Sequence, residues 1–357
     1  MIDKDIQFLS KLIDAPSPSG YEAPAAQIVR ERMEQTADEV KTDAMGSVHA
    51  TLKGNGNGPS ILLTGHIDEI GLQVKYIDDK GFVYFDAIVG IDTTVLPGQR
   101  VKVYCKDGAY DAVISSKSVH LMDPEERKKL VEVNKLFVDM GMDAEEAKRH
   151  VRIGDPIVID AGLTRFGNGM ITSRALDDKA GIFICIKVME EVKAAGGIGG
   201  NLTVVGTVQE EIGLRGAMTA TFGVDPDVGI AVDTGTATDH PGVDVTKKGL
   251  FKLGEGPLVS RGPNINPVLF EMMIAAAEKA GAKYQIMAAP RGTGTDANNI
   301  QLSRSGKVTG LVSVPLRYLH TPCETAAESD IDDAVKILTQ VILDIDESTD
   351  FTPRVDI

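Results

Sequence analysis

Two hydrophobic periods alternate along this chain, and the change between them is abrupt at Gly71. From Leu72 to about Ser118 come short alternating runs, LQVKYI, GFVYFDAIV, QRVKVYC and DAVISS, with turns between them. That is the period-2 pattern of a small barrel or sandwich. The flanking sequence reads differently. IQFLSKLID has helical spacing and is ended by PSPSG, and a second helical pattern runs from Tyr21 to about Glu39. SVHATLKG and SILLTG read as strands, and Ile61 to Thr64 is apolar on both faces, as a buried strand should be. From Met170 onward, the helix DDKAGIFICIKVMEEVKAAGG, the apolar strands NLTVVGTV, VGIAVD and VTGLVSVPL, and the helix NPVLFEMMIAAAEKAG alternate. The terminal helix, DIDDAVKILTQVILDI, has Asp330 or Ser329 as its expected cap. The pattern predicts an α/β fold with an inserted, barrel-like β-rich domain. Residues 1–71 and 166–357 form the α/β part and 72–165 the insertion. Within the insertion, the charged run over 119–150 reads as a solvated helical pair, and DPIVID returns to strand.

A length of 357 residues suits two cores. The net charge of −15 repels phosphate, so a general nucleic-acid binder is disfavoured. No apolar run reaches the roughly 18 residues of a membrane span. The N-terminal MIDKDIQFLSKLIDAP is amphipathic and acidic, unlike a signal peptide. Cys105, Cys185 and Cys323 are scattered and odd in number, so no disulfide framework is implied. Cys185, inside GIFICIKV, reads as a core thiol. The expected location is the cytoplasm.

Five segments put metal-ligand residues at a strand end or a helix start, the edge where open α/β sheets bind ligands. In SILLTGHIDEIG, His66 and Asp68 follow a strand, a pairing suited to a ligand and a carboxylate that orients it. SRALDDKAG opens a helix with Asp177 and Asp178. TVVGTVQEEIG carries Glu210 and Glu211, a pair able to divide metal binding from proton handling. Asp233 ends VGIAVD, and His320 follows SVPLRYL. Each has a plain structural reading: a surface turn, helix N-terminal charges, a solvated loop, a strand exit. Together they would be five coincidences at strand or helix ends in a chain with six histidines. Imidazoles and carboxylates without thiolates suit zinc, cobalt or manganese. Two histidines and three carboxylates exceed one tetrahedral ion and fit two ions about 3.5 to 4 Å apart, one carboxylate bridging. A remaining carboxylate can serve as general base for amide or ester hydrolysis.

GHIDEIG, ALDDKAG, QEEIG, AVDTG and RYLH, in that order, resemble the co-catalytic metallo-aminopeptidases. More narrowly, they resemble the TET peptidases: glutamyl, leucyl and deblocking aminopeptidases whose members often carry endoglucanase or cellulase-like names. The likeness covers essentially the whole chain, with DMGMDAEEAKRHVRIGDPIV and RGTGTDANNIQLSRSG also similar to family segments. It implies a metal set of His66, Asp177, Glu211, Asp233 and His320, with Asp177 bridging two divalent ions and the peptide bond to Asp178 cis. Asp68 would orient His66, and Glu210 would be the general base. The substrates implied are short peptides with a free N-terminus. The inserted domain would make dimers, and six dimers would close into a tetrahedral dodecamer with inward-facing sites. RGTGTDANNI would shape the first-residue pocket. Neither the preferred first residue, acidic, apolar or basic, nor the native metal follows from the sequence. His49, His120, His150 and His240 read as bystanders, although in some relatives a histidine of the inserted domain reaches a neighbouring site, which leaves His120 a small functional prospect.

Three rivals remain. A glycoside hydrolase needs two carboxyls roughly 5 to 9.5 Å apart across a sugar ring, usually with aromatic platforms, and this chain has 5% aromatics and no tryptophan. A non-catalytic, particle-forming scaffold should lack a ligand or the base, and none is missing. A carboxypeptidase or deacylase would need an arginine for the substrate carboxylate, with Arg261, Arg291 and Arg317 the residues to place.

Overall fold

The computed structural model describes residues 1–129 and 131–353. Leu130, inside the charged run, and residues 354–357, at the end of the α/β part, lie outside the described residues. The chain opens with α1 (Asp3–Asp14), which buries Leu9, Leu12 and Ile13. The second helix, α2 (Ala23–Met33), begins with Pro24 near its first position. It is shorter than the expected run from Tyr21 to Glu39. Glu39–Thr42 is instead strand β1, antiparallel to β2 (Val48–Leu52). Val40 and Thr42 are β-branched and suit a pleated edge, so the ladder to β2 wins over a helical continuation. Then β3 (Ile61–His66) is buried along its whole length.

The barrel follows: β4 (Gly71–Ile77), β5 (Val83–Ile88), β6 (Arg100–Cys105), β7 (Gly108–Ser115), β8 (Phe137–Asp139), α3 (Ala144–His150) and β9 (Pro156–Ile159). Among the described residues these strands close in the order β4-β5-β8-β7-β6-β9. They surround a core of their own, built on Leu72, Val74, Phe85, Val103, Ile114 and Ile157. The α/β fold with an inserted β-rich barrel is therefore as the patterning indicated. The charged run is not. Among the described residues of 119–150 it holds three single 3₁₀ turns, the strand β8 and only one short helix, α3. Val138 pairs with Val83 on one side and Ile114 on the other, which closes the seam between β5 and β7. Closing the barrel requires that strand, and tertiary pairing overrides the local helical pattern. Asp143 caps α3 by accepting the Glu146 amide at 2.9 Å.

The remainder of the chain runs β10 (Thr164–Phe166), β11 (Met170–Ser173), α4 (Leu176–Ala194), β12 (Leu202–Thr207), α5 (Arg215–Val224), β13 (Val228–Thr236), α6 (Val245–Lys248), β14 (Leu258–Arg261), α7 (Pro267–Ala280), β15 (Gln285–Ala288), α8 (Asp296–Gln301), β16 (Val308–Leu316), β17 (Glu324–Ala327) and α9 (Glu328–Asp344). Among the described residues eight strands form a mixed sheet ordered β1-β2-β12-β3-β13-β16-β14-β15. Its central strands β12, β3, β13 and β16 are mutually parallel. Their carboxyl ends therefore open on one edge. The largely buried helix α4 lies against this sheet. Gly65 permits the approach: a Cβ there would stand 2.6 Å from the backbone nitrogen of Ile182.

The cap expected for α9 is absent. Its N-cap position is Ala327, with no side-chain hydrogen bond. Asp330 and Ser329 sit inside the helix, and the Asp330 carboxylate accepts the Gly254 and Gly256 amides at 2.8 and 2.9 Å. Strand β17 runs straight into α9, so no loop presents a cap, and Asp330 ties down a distant turn instead.

Candidate metal centre

At the carboxyl edge of the central strands the five sequence segments converge. His66 ends β3, Glu210 and Glu211 follow β12, Asp233 lies within β13, and His320 follows β16. Asp177 and Asp178 begin α4 in non-helical conformation, joined by the cis peptide bond that the resemblance implied. A cleft of about 600 Å³ is lined by His66, Asp177, Glu210, Glu211, Asp233 and His320. Asp68 is fully buried behind it.

Asp177 is central. Its Oδ1 lies 3.2 Å from Nε2 of His66, and its Oδ2 lies 3.4 Å from Nε2 of His320. His66 Nε2 is 4.0 Å from Asp233, and His320 Nε2 is 3.5 Å from Glu211. His66, Asp177 and Glu211 bring one donor atom each within 4.8 Å of one another, as do His66, Asp178 and Asp233. In the second group Asp178 is the weaker candidate. Its two oxygens already accept the backbone amides of His66 and Gly181 at 3.1 and 3.0 Å.

The site is a concentration of buried acid. Burial pushes the Glu210 carboxyl up to about 10 and Glu211 up to about 7, and neighbouring carboxylates add to both. Asp233 is likewise raised well above its usual range by burial and Asp177. Asp177 alone among these is lowered: burial would raise it, but His320 and His66 outweigh that. Burial also works against protonation of His66, yet the surrounding carboxylates, Glu210 foremost, raise it well above 6.5. Asp177 Oδ1 and Glu211 Oε1 are buried without a hydrogen-bond partner. Orphaned carboxylate oxygens beside two imidazoles are what a divalent cation satisfies. The residues present therefore fit such an ion.

Asp68 does more than face His66. The Nδ1–H of His66 donates to the Asp68 backbone carbonyl at 3.1 Å. The Asp68 carboxylate is 3.5 Å from that nitrogen and accepts Ser19 Oγ at 2.6 Å and the Glu210 and Glu211 amides at 3.0 and 3.1 Å. It therefore holds the glutamate turn in place. Sequence reasoning passed over Glu324, whose buried carboxylate accepts the amides of Asp177 at 3.1 Å and His320 at 2.8 Å. It also passed over Glu22, which accepts the Gln209 amide at 3.1 Å, and Asp296, which accepts Thr207 Oγ at 2.7 Å. Lone acids in HTPCE, GYEAP and GTDAN carry no spacing signal that could have singled them out.

The other histidines sit elsewhere. His49 pairs with Asp43, His150 with Asp107, and His240 packs beside the Tyr318 ring. His120 lies exposed in a 3₁₀ turn of the inserted region. The cleft has no Lys, Arg, Phe, Tyr or Trp lining residue among the described residues. Arg317 is paired with Asp239 at 2.7 Å, and Arg261 covers the Phe270 ring.

Residues 46–337 match the model of the M42 glutamyl aminopeptidase family. The chain is 34% identical to the lysyl aminopeptidase of Pyrococcus furiosus, covering 98% of this chain and 99% of that protein. The crystal structure of a TET aminopeptidase from a marine-sediment thaumarchaeote superposes with a TM-score of 0.91 at 35% identity, over 97% of each chain. The Pyrococcus horikoshii TET1 peptidase, described as assembling into a tetrahedron or a large octahedral shell, is similar with a TM-score of 0.84 at 29% identity, covering 96% of this chain and all of that one.

Proposed function

This chain belongs to the M42 glutamyl aminopeptidase family, and from that premise we propose that it is a dinuclear-metal aminopeptidase acting on short peptides with a free N-terminus. The observation that carries the two-ion reading is Asp177, with one carboxylate oxygen facing each histidine. His66 and Asp233 would hold one divalent ion and His320 and Glu211 the other, Asp177 bridging them. Zinc and cobalt suit this donor set best, and manganese is compatible. Bound ions would acidify a water and polarise the scissile carbonyl. Glu210 stands at the cleft wall with its backbone fixed by Asp68. Its buried carboxyl would take a proton from the attacking water and return it to the leaving amine.

Assembly and location are part of the same reading. The inserted barrel exposes Val113, Val119 and Leu121, the last 72% accessible. Dimerisation, and from dimers a tetrahedral dodecamer, would cover exposed apolar side chains of this kind. No helix among the described residues is long and apolar enough to cross a membrane. The free cysteines fit a reducing cytoplasm.

The test is release of the first residue from short peptides, free or N-acetylated, by chelator-stripped enzyme with zinc, cobalt or manganese restored. Metal-dependent release from free N-termini alone is expected. Release from acetylated peptides as well would make it a deblocking enzyme. No release from any peptide would overturn the reading.

A further inference from the structure

The loop that joins β5 to β6 leaves the barrel and enters the metal centre. Val89 lines the cleft. The carbonyl of the next residue, Gly90, accepts the Nδ1–H of His320 at 3.0 Å. With Nδ1 engaged there, Nε2 faces Asp177 and Glu211 at 3.4 and 3.5 Å. The same loop touches the His320 backbone, since the Asp92 amide donates to the His320 carbonyl at 3.4 Å. Glu324 holds the other side by accepting the His320 amide at 2.8 Å. His320 needs external support, because its φ is +60°, a region that side chains other than glycine rarely occupy. The position that meets it is a glycine for two reasons. Gly90 has φ +38°, and a Cβ there would stand 2.8 Å from Nδ1 of His320.

We propose that Gly90 is a positioning residue: through its backbone carbonyl, the inserted barrel holds His320 in the tautomer and orientation that present Nε2 to a metal ion. An imidazole ligand is oriented by the hydrogen bond that its other nitrogen makes. Here that partner comes from a region 230 residues away in sequence. The α/β part alone does not complete the site. The inference rests on the assignment of His320 as a ligand, and the experiment separates the two.

Full-length protein stripped of metal is titrated with Co²⁺, followed by calorimetry and by the visible absorption of the bound ion. Wild type is compared with Gly90→Ala, Asp92→Ala and His320→Ala. His320→Ala is expected to lose tight binding of one ion, and wild-type binding by that variant would overturn the ligand assignment itself. Gly90→Ala is expected to bind one ion roughly tenfold or more weakly, the scale of lost support for a ligand imidazole. Its Co²⁺ band should change, while the thermal unfolding temperature of the metal-free protein falls only by the local strain of a side chain at this positive φ, with the transition still cooperative. Wild-type affinity and spectrum in Gly90→Ala, with His320→Ala impaired, would overturn the positioning role alone. Asp92 accepts the Thr94 amide and hydroxyl at 2.9 and 2.6 Å and so anchors the loop. Asp92→Ala should shift binding in the same direction by less. If Gly90→Ala does not fold, that variant decides: weakened Co²⁺ binding supports the inference and wild-type binding overturns it.

Discussion

The carboxylate of Glu324 accepts the backbone amide of Asp177 at 3.1 Å, across 147 residues of chain. Its other oxygen takes the His320 amide at 2.8 Å. One fully buried acid thus sets the spacing of two proposed ligands without touching the cleft. Glu324→Gln replaces one acceptor oxygen with a donor that faces an N–H. The expected cost is about 1–3 kcal/mol of stability from the unpaired groups, with metal binding weakened by about 10- to 100-fold. Thermal unfolding and chelator competition would check this. Wild-type metal affinity in the variant would show that the clamp is dispensable.

Glu210→Gln tests the proposed base. The amide keeps the volume of the side chain and leaves the five proposed ligands in place, so metal content should stay at the wild-type level. Turnover should fall by roughly 10²- to 10⁴-fold. Elemental analysis alongside steady-state kinetics separates the two effects, and retained kcat would assign the proton to another group.

The buried acids make the metal-free protein sensitive to alkali. Glu211 is raised from 4.5 to about 7 and Glu210 to about 10, both chiefly by burial. A carboxyl raised on folding contributes stability that is full below 4.5 and is lost as pH climbs through its folded value. His320, raised from 6.5 to about 9 by Asp177, acts in the same direction between those values. The melting temperature of chelator-treated protein should therefore fall from pH 4.5 toward pH 9. Added Co²⁺ should flatten that slope, and its uptake should release protons. A metal-free melting temperature that is level or rising across this range would contradict the proposed charge cluster.

Side-chain preference follows from the walls of the cleft. Outside the proposed metal cluster and Glu210 they are uncharged, with Leu214, Met287 and Leu311 among them. With the cluster's charge taken up by ions, a Glu or Lys side chain of the substrate would lose water without gaining a partner. Peptides beginning with Leu or Met should show kcat/KM roughly tenfold or more above those beginning with Glu or Lys, a modest share of that desolvation cost. Equal rates across the four would place the first side chain outside these walls.

Leu121→Asp tests the apolar surface of the barrel. Leu121 is 72% exposed and the substitution should leave the fold intact. Light scattering should register a smaller particle than wild type forms. An unchanged mass would remove this patch from the interface.

The legible part of the centre was chemical. Ligation needs imidazole nitrogens and carboxylate oxygens, few residue types supply them, and His66, Asp177, Glu210, Glu211, Asp233 and His320 stand at or near ends of elements that periodicity makes visible. Glu324 and Glu22 were illegible for the complementary reason. Each acts by accepting a backbone amide that any residue could supply, so no residue type at the other end announces the partner. The charged run over 119–150 misled because its local pattern favours helix, whereas β8 exists only because Val138 finds Val83 and Ile114 on either side.

The order of residues was thus enough for an α/β chain interrupted by a β-rich insertion, and for naming the donor atoms of the proposed metal site. Both are carried by residue type and short-range period. What folding in three dimensions decided is how those donors are held: Asp68 under the amides of Glu210 and Glu211, Glu324 between Asp177 and His320, and Gly90 against the His320 ring. All but the Glu324–His320 bond join groups 142 or more residues apart, and one needs a missing Cβ at a point of close approach. A backbone amide or carbonyl is the same at every position, so only the packed structure reveals which one meets which side chain.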